Sequence, residues 1–115
     1  MSIISSVSRE GNDGIWGGIN IGDYVIIRTY SAGVWFGVLD EFRKGEVILS
    51  NARMMYRWQA KKSISLSGCA KFGIVADDSK ICPAVSKVWL QAIEVLPLTK
   101  DAAHSIINCP DVEAS

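Results

Sequence analysis

The sequence DYVIIRTYSAGVWFGVLDEFRKGEVILSNARMMYRW, residues 23–58, decides the fold of this chain. It is rich in β-branched and aromatic residues, which favour the pleated surface of a sheet. It is interrupted by SAG at residues 31–33 and by RKG at residues 43–45, and such breaks are typical of turns between antiparallel strands. The segment therefore predicts a meander of four strands, at Asp23–Tyr30, Val34–Leu39, Glu46–Leu49 and Asn51–Trp58.

Downstream of the meander, the hydrophobic pattern changes from alternation to helical spacing. Leu66, Cys69, Ala70 and Gly73 recur at intervals of three and four residues, which predicts a short helix within residues 61–73. The following β-rich segments, residues 84–90 and 92–96, predict two more strands or one long bent strand.

The last regular element is predicted to be a helix. Thr99 is a suitable N-cap, Asp101 suits the first turn, and Asn108 with Pro110 can stop the helix. Ala103 and the two isoleucines after it share one face, which should dock on the sheet. The fold class is therefore α+β, a largely antiparallel β-sheet with about two short helices.

The chain is predicted to form one small domain. Its length of 115 residues and its 49% hydrophobic content are those of a single folded unit. The first residues are rich in Ser, Gly, Asn and Asp and cannot contribute much to a core. We expect a flexible N-terminal arm at residues 1–20, a ligand-binding domain at residues 21–109 and a tail at residues 110–115.

Charge and cysteine content exclude several classes of function. Twelve basic and twelve acidic residues give no net charge, so the chain is not expected to bind duplex DNA. Three cysteines without CxxC spacing predict neither a disulfide framework nor a zinc site, and no metal or other cofactor is expected. No run of eighteen apolar residues occurs, so no membrane span is expected, and reduced thiols fit a cytoplasmic location.

No set of residues in the sequence is typical of an active site, and we predict that the chain is not an enzyme. His104 is the single histidine and lies on the predicted terminal helix, where a surface role is the ordinary interpretation. The glycines match neither GxGxxG nor a Walker loop. A slow hydrolase would need one general base, and Asp40, Glu41 and Glu94 are the nearest candidates.

Arginines interleaved with aromatic residues are the most informative pattern. Alternation along the first strand places Arg28 on the same face as Tyr30. On the fourth strand it places Arg53, Met55 and Arg57 on one face, which we take as the solvent or ligand side. Guanidinium groups pair with phosphates and aromatic rings stack on bases, so a nucleotide-sized pocket is one hypothesis. The alternative is that these arginines are protective edge charges and the tryptophans belong to the core.

Three blocks of the sequence also resemble a known family. In their order, RTYSAGVWFGVL at residues 28–39, NARMMYRW at residues 51–58 and AIEVLPLTKDAAHSI at residues 92–106 resemble the sequence pattern of the first described family of phage Thoeris anti-defence proteins. The resemblance spans residues 22–107. Residues 63–78 and the position of Arg57 depart from the family pattern, so ligand preference could differ.

The resemblance implies a function of sequestration without cleavage. Such proteins are sponges for cyclic ADP-ribose isomers such as glycocyclic ADP-ribose, and some also bind the cyclic oligonucleotides of CBASS defence, in the cytoplasm of the infected bacterial host. It also implies a homo-oligomer, with dimers assembled into a homohexamer. The ligand-binding candidates are Arg28, Thr29, Tyr30, Ser31, Ala32, Gly33, Trp35, Arg53, Tyr56, Arg57 and Trp58.

Two functions from other classes remain open at this point. A single-stranded nucleic-acid binding module could use the same arginines and aromatic residues, although the zero net charge argues against it. A structural subunit of a phage particle could instead use an exposed apolar face to meet a partner chain.

Overall fold

A computed structural model describes residues 18–113 as one α+β unit, which confirms the predicted fold class. The predicted N-terminal arm lies outside the described residues except for residues 18–20. Within residues 18–113, six strands and two α-helices follow one another, and a 3₁₀ turn precedes the fourth strand. In chain order the elements are β1 (Tyr24–Arg28), β2 (Val34–Arg43), β3 (Glu46–Arg57), α1 (Leu66–Phe72), the 3₁₀ turn (Ala76–Asp78), β4 (Lys80–Ile81), β5 (Val85–Gln91), β6 (Glu94–Pro97) and α2 (Lys100–Ile107).

The predicted hairpins are present. β1 and β2 pair antiparallel, from Tyr24 opposite Val38 to Arg28 opposite Val34. β2 and β3 join through Lys44 and Gly45, whose φ angles of 42° and 83° are those of a two-residue turn that matches strand twist. The RKG sequence therefore encodes this turn locally.

The predicted break between the third and fourth strands is wrong, because β3 is one continuous strand. Asn51 adopts a φ of 48° and the pairing with β2 shifts by one residue nearby, so the chain forms a β-bulge and not a turn. Gly37 lies across from this bulge, and a Cβ there would come within 2.9 Å of the Ser50 carbonyl oxygen. The bulge therefore requires a residue with positive φ, which is Asn51, and a neighbour without a side chain, which is Gly37.

The sheet curls strongly. Its main path runs β4-β3-β2-β1-β6, and β5 pairs with the outer edge of β3 while β6 pairs with the outer edge of β1. Only Ala92 and Ile93 lie between Gln91, the end of β5, and Glu94, the start of β6, and these three Cα steps span about 11 Å at most. The two edges must therefore approach each other, and of the two predictions for residues 84–96 the two-strand alternative is confirmed.

Two hydrophobic clusters lie on opposite faces of the curled sheet. The inner cluster includes Val25, Ile27 and Leu49 and is surrounded by the strands themselves. The outer cluster joins Ile26 and other sheet residues to the two helices. Its members are Ile26, Phe36, Met55, Ala60, Leu66, Cys69, Ala70, Ile74, Ile81, Ala103, Ile106 and Cys109.

Both predicted helices are present, and α2 has the predicted caps. Ser65 accepts from the Gly68 N–H at the start of α1, and Gly73 ends it with a φ of 91°. Thr99 accepts from the Ala102 N–H at the start of α2, and Asn108 caps its C-terminus. α2 contributes Ala103 and Ile106 to the outer cluster, so its predicted docking is confirmed.

The folded unit extends past the boundary predicted at residue 109. Asp111 forms a parallel bridge with Ile81, and the Val112 N–H donates to the Ile81 carbonyl oxygen at 2.9 Å. The first residues of the predicted tail therefore bond to β4 through an isolated bridge. None of the helices in residues 18–113 is long and apolar enough to cross a membrane.

Candidate ligand-binding site

The RTYSAG turn, residues 28–33, is closed by hydrogen bonds from Thr29 to its last two residues, which restrict its conformation. The Thr29 hydroxyl accepts from the Ala32 N–H at 2.8 Å and donates to the Gly33 carbonyl oxygen at 2.7 Å. Gly33 has a φ of 88°, which disfavours any residue with a Cβ. A Cβ at Gly33 would also lie 2.8 Å from the Met54 Cε. The turn thus packs beside the C-terminal half of β3.

Most of the predicted site residues lie at one end of the sheet. β1 ends, β2 begins and β3 ends there, since the three strands are antiparallel. The register places Trp35 opposite Met54, two residues before Tyr56. The candidates at this end are Arg28, Thr29, Tyr30, Ser31, Ala32, Gly33, Trp35, Tyr56, Arg57 and Trp58.

Exposed tyrosines are the main aromatic feature of this end. Tyr30 is 91% exposed and Tyr56 is 73% exposed, so burial of these rings contributes little to the stability of the fold. Trp35 and Trp58 are half-buried, and each packs against one of the two hydrophobic clusters. The Trp35 indole N–H donates to the Ala32 carbonyl oxygen at 3.0 Å, so this ring also supports the turn.

Two cations accompany the tyrosines. The Arg28 Nε donates to Glu94 Oε1 at 2.8 Å, and its terminal nitrogen atoms have no hydrogen-bond partner within residues 18–113. Arg57 lies exposed at the end of β3, opposite Lys80 of β4. The end of the sheet therefore carries both exposed cations and exposed rings, and alternation places Arg28 on the face of the outer cluster and Tyr56 on the opposite face.

Arg53 does not belong to this surface, and the predicted solvent face of β3 is wrong. Arg53 is 6% exposed and Met55 is 2% exposed, so this face is turned toward the outer cluster as far as Met55. The Arg53 Nε donates to the Cys82 carbonyl oxygen at 2.9 Å. Its Nη1 donates to the carbonyl oxygens of Ile106 and Cys109 at 2.6 and 2.9 Å. Its Nη2 donates to the Ile81 carbonyl oxygen at 3.4 Å and to Asp111 Oδ1 at 2.7 Å.

These five bonds give Arg53 a structural role. A guanidinium group has five N–H donors, so none is left for a ligand. The carbonyl groups come from β4, the end of α2 and the loop after each, which Arg53 holds together. Alternation along β3 could not show this, because these carbonyls converge only in the tertiary structure.

Two of the three carboxylates considered as general bases, Asp40 and Glu94, are engaged in ion pairs. Glu94 pairs with Arg28, and Asp40 pairs with Lys87 and accepts from the Ser50 hydroxyl at 3.0 Å. The hydrogen bond from Lys87 and, to a smaller extent, the one from Ser50 hold the pKa of Asp40 below its usual value. Within residues 18–113, no group of three or more His, Cys, Asp or Glu residues could hold a metal ion.

A cleft of about 340 Å³ lies elsewhere, between the start of β1 and the start of α2. Tyr24 stacks on Phe36 at its edge, with ring centroids 5.4 Å apart. Lys100 and His104 line it from one face of α2. None of the predicted site residues lines this cleft. The sequence offered one indication of it, since Lys100 and His104 are four residues apart and therefore share a face of the predicted helix.

The fold is thus a small α+β domain built on a curled antiparallel sheet, with an exposed tyrosine and arginine surface at one end. A family model described as a domain of unknown function, DUF6948, matches residues 22–106, so the chain belongs to that family. Neither a curated protein nor a solved structure matches it.

Proposed function

We propose that this protein is a phage anti-defence sponge, which binds cyclic nucleotide immune signals and sequesters them without cleavage. The observation that carries the proposal is the placement of Tyr30, Tyr56 and Arg28 at one end of the sheet, around a turn that Thr29 closes. The resemblance of the RTYSAG block to Thoeris anti-defence proteins supports the same function. The proposed ligands are cyclic ADP-ribose isomers and cyclic oligonucleotides in the cytoplasm of the infected host.

Each part of such a ligand has a matching group on this surface. The terminal N–H groups of Arg28, which have no partner within residues 18–113, suit a pyrophosphate or phosphodiester, which guanidinium binds in bidentate fashion. Tyr30 or Tyr56 can stack on the adenine, and such stacking contributes about 1–3 kcal/mol per base. The Ala32 N–H is occupied by Thr29, so anion binding depends on side chains more than on this backbone group.

A turn restricted in this way also suits capture. Binding to a preformed surface loses less conformational entropy than ordering a loop, and this favours the tight complex that sequestration requires. Arg53 takes no part in the proposal, because its five donors are already used within the fold.

The test is direct capture from a mixture. Purified protein is incubated with cyclic ADP-ribose isomers and cyclic di- and trinucleotides, freed of unbound ligand, heat-denatured, and the released compounds are identified by mass spectrometry. An intact cyclic nucleotide from the wild type but not from Arg28→Ala supports the proposal. Altered products would identify an enzyme. Nothing captured, together with salt-dependent binding of single-stranded oligonucleotides, would favour a nucleic-acid module.

A further inference from the structure

The cleft between the start of β1 and the start of α2 is remote from the tyrosine and arginine surface of the proposed function. Its volume of about 340 Å³ is at the lower end of the range for small-molecule sites. Tyr24, which lines it, lies at the start of β1, and Arg28 lies at the end of that strand, about 13 Å away. The cleft therefore offers space for a second, separate ligand.

Contacts within the fold hold the walls of the cleft in place. The Thr99 N–H donates to the Ala70 carbonyl oxygen at 3.0 Å, and the Thr99 hydroxyl donates to the Lys71 carbonyl oxygen at 3.0 Å. These bonds attach the start of α2 to α1. On the other wall, the rings of Tyr24 and Phe36 are stacked at an angle of 4°. The walls are thus formed before a ligand binds, which reduces the entropy lost on binding.

Two opposite charges line the cleft without pairing with each other. Lys100 forms no ion pair within residues 18–113, although Asp23 lines the same cleft. The Asp23 Oδ2 accepts from the Asn20 N–H at 2.9 Å, and its Oδ1 accepts no hydrogen bond from the residues described. The ammonium and the carboxylate can therefore each bind a different part of one ligand.

Lys100 stands at a position where helix energetics disfavour a cation. It is the first residue of α2, and the positive end of the helix dipole opposes a lysine there. His104 lies one turn later on the same face, and its ring has no hydrogen-bond partner within residues 18–113. Both side chains can donate from nitrogen to one anionic group in the cleft.

Tyr24 adds an aromatic surface to the cleft. It remains 38% exposed although Phe36 stacks on its ring. Pro97, Leu98 and Ala103 line the cleft beside it and contribute apolar contacts. An exposed tyrosine in such surroundings can stack on a flat heterocycle, as aromatic side chains do on nucleobases.

We propose that this cleft is a second ligand site and that it binds a nucleoside monophosphate. The base contacts Tyr24, the phosphate binds Lys100 and His104, and the ribose hydroxyls donate to Asp23. Phosphate alone would leave the aromatic surface unused, and a nucleoside alone would leave Lys100 unpaired. The inference goes beyond the proposed sequestration and does not depend on it, because the two sites share no residue.

The first test is calorimetric titration of the full chain with adenosine monophosphate, adenosine and inorganic phosphate as probes. We expect the monophosphate to bind at least about tenfold more tightly than either partial probe, because only it makes both kinds of contact. Lys100→Ala should weaken its binding about tenfold, since a charge-assisted hydrogen bond is lost. Lys62→Ala is the matched control, because Lys62 is exposed and does not line the cleft. No binding of the monophosphate, or equal losses in the two lysine variants, would overturn the proposal.

Arg28→Ala separates this site from the proposed sponge surface. It should bind adenosine monophosphate as the wild type does, even where it no longer captures cyclic nucleotides. Loss of monophosphate binding in Arg28→Ala, with binding kept in Lys100→Ala, would place the nucleotide at the sponge surface and contradict the cleft. A wild type that captures no cyclic nucleotide but binds the monophosphate would refute sequestration alone.

The second test locates the bound probe without a variant. In NMR spectra of the wild type, adenosine monophosphate should shift the backbone amide resonances of Leu98 and His104 more than those of Tyr30 and Tyr56. The reverse pattern would also contradict binding in the cleft.

Discussion

Arg28 and Glu94 lie opposite each other on β1 and β6, and the Arg28 Nε donates to Glu94 Oε1 at 2.8 Å. Their side chains are 50% and 40% exposed, so water screens the pair and its contribution to the free energy of unfolding is about 0–1 kcal/mol. Its main effect is on the candidate site, where a carboxylate both orients the guanidinium group and opposes an incoming anion.

Glu94→Gln separates these two effects. The amide oxygen can still accept from the Arg28 Nε, while the negative charge is lost. We expect the affinity for the captured nucleotide to rise about threefold to tenfold at low salt, and the gain to shrink as salt increases. Calorimetric titration at two salt concentrations measures both. Glu94→Ala is the comparison, since it also removes the acceptor, and weaker binding by Glu94→Gln would contradict the expected repulsion.

The exposed tyrosines should contribute to binding and little to folding. Tyr30→Ala and Tyr56→Ala each remove one stacking surface of about 1–3 kcal/mol, which corresponds to a loss of affinity of about 5-fold to 150-fold. Thermal unfolding should change little, because both rings are mostly exposed. Ile64→Ala removes an exposed apolar side chain elsewhere and should change neither property. Unchanged affinity in both tyrosine variants would remove the rings from the site.

Arg53 should show the opposite behaviour. Arg53→Ala leaves buried carbonyl groups without donors, and we expect a loss of about 3 kcal/mol in the free energy of unfolding. Asp111→Asn should lose less than about 1 kcal/mol, because that carboxylate is exposed and an amide oxygen remains. Urea unfolding of the two variants provides the comparison. A fully stable Arg53→Ala protein with impaired nucleotide capture would return Arg53 to the ligand site.

The buried thiol of Cys69 should make stability depend on alkaline pH. Burial raises the pKa of Cys69 from 9.0 to about 11. As the pH rises above about 9, the unfolded chain loses this proton before the folded chain does, so stability falls until about pH 11. Urea midpoints at pH 8 and pH 10 should fall less for Cys69→Ala than for the wild type. Equal falls would show that this thiol does not contribute.

The sequence predicted those elements whose signals are local. The turn at Lys44 and Gly45 follows from residues that tolerate positive φ, and α2 starts where Thr99 can cap it. The exposed surface around Tyr30 was predicted from the order of neighbouring residues. Asn51 was interpreted as a break between two strands, but it forms a β-bulge within β3. An asparagine tolerates positive φ both in a turn and in a bulge, and only the pairing of β3 with strands on both sides distinguishes the two.

The sequence by itself therefore determined the hairpins, the start of α2 and the composition of the candidate surface, because each depends on residues close together in the chain. Only the tertiary structure decided that β5 and β6 lie on opposite edges and that Arg53 is buried. Both depend on groups far apart in the sequence: Arg53 meets carbonyls from residues 81, 82, 106 and 109. A guanidinium group enters a core when such acceptors converge on it, and their convergence is a property of the packed chain.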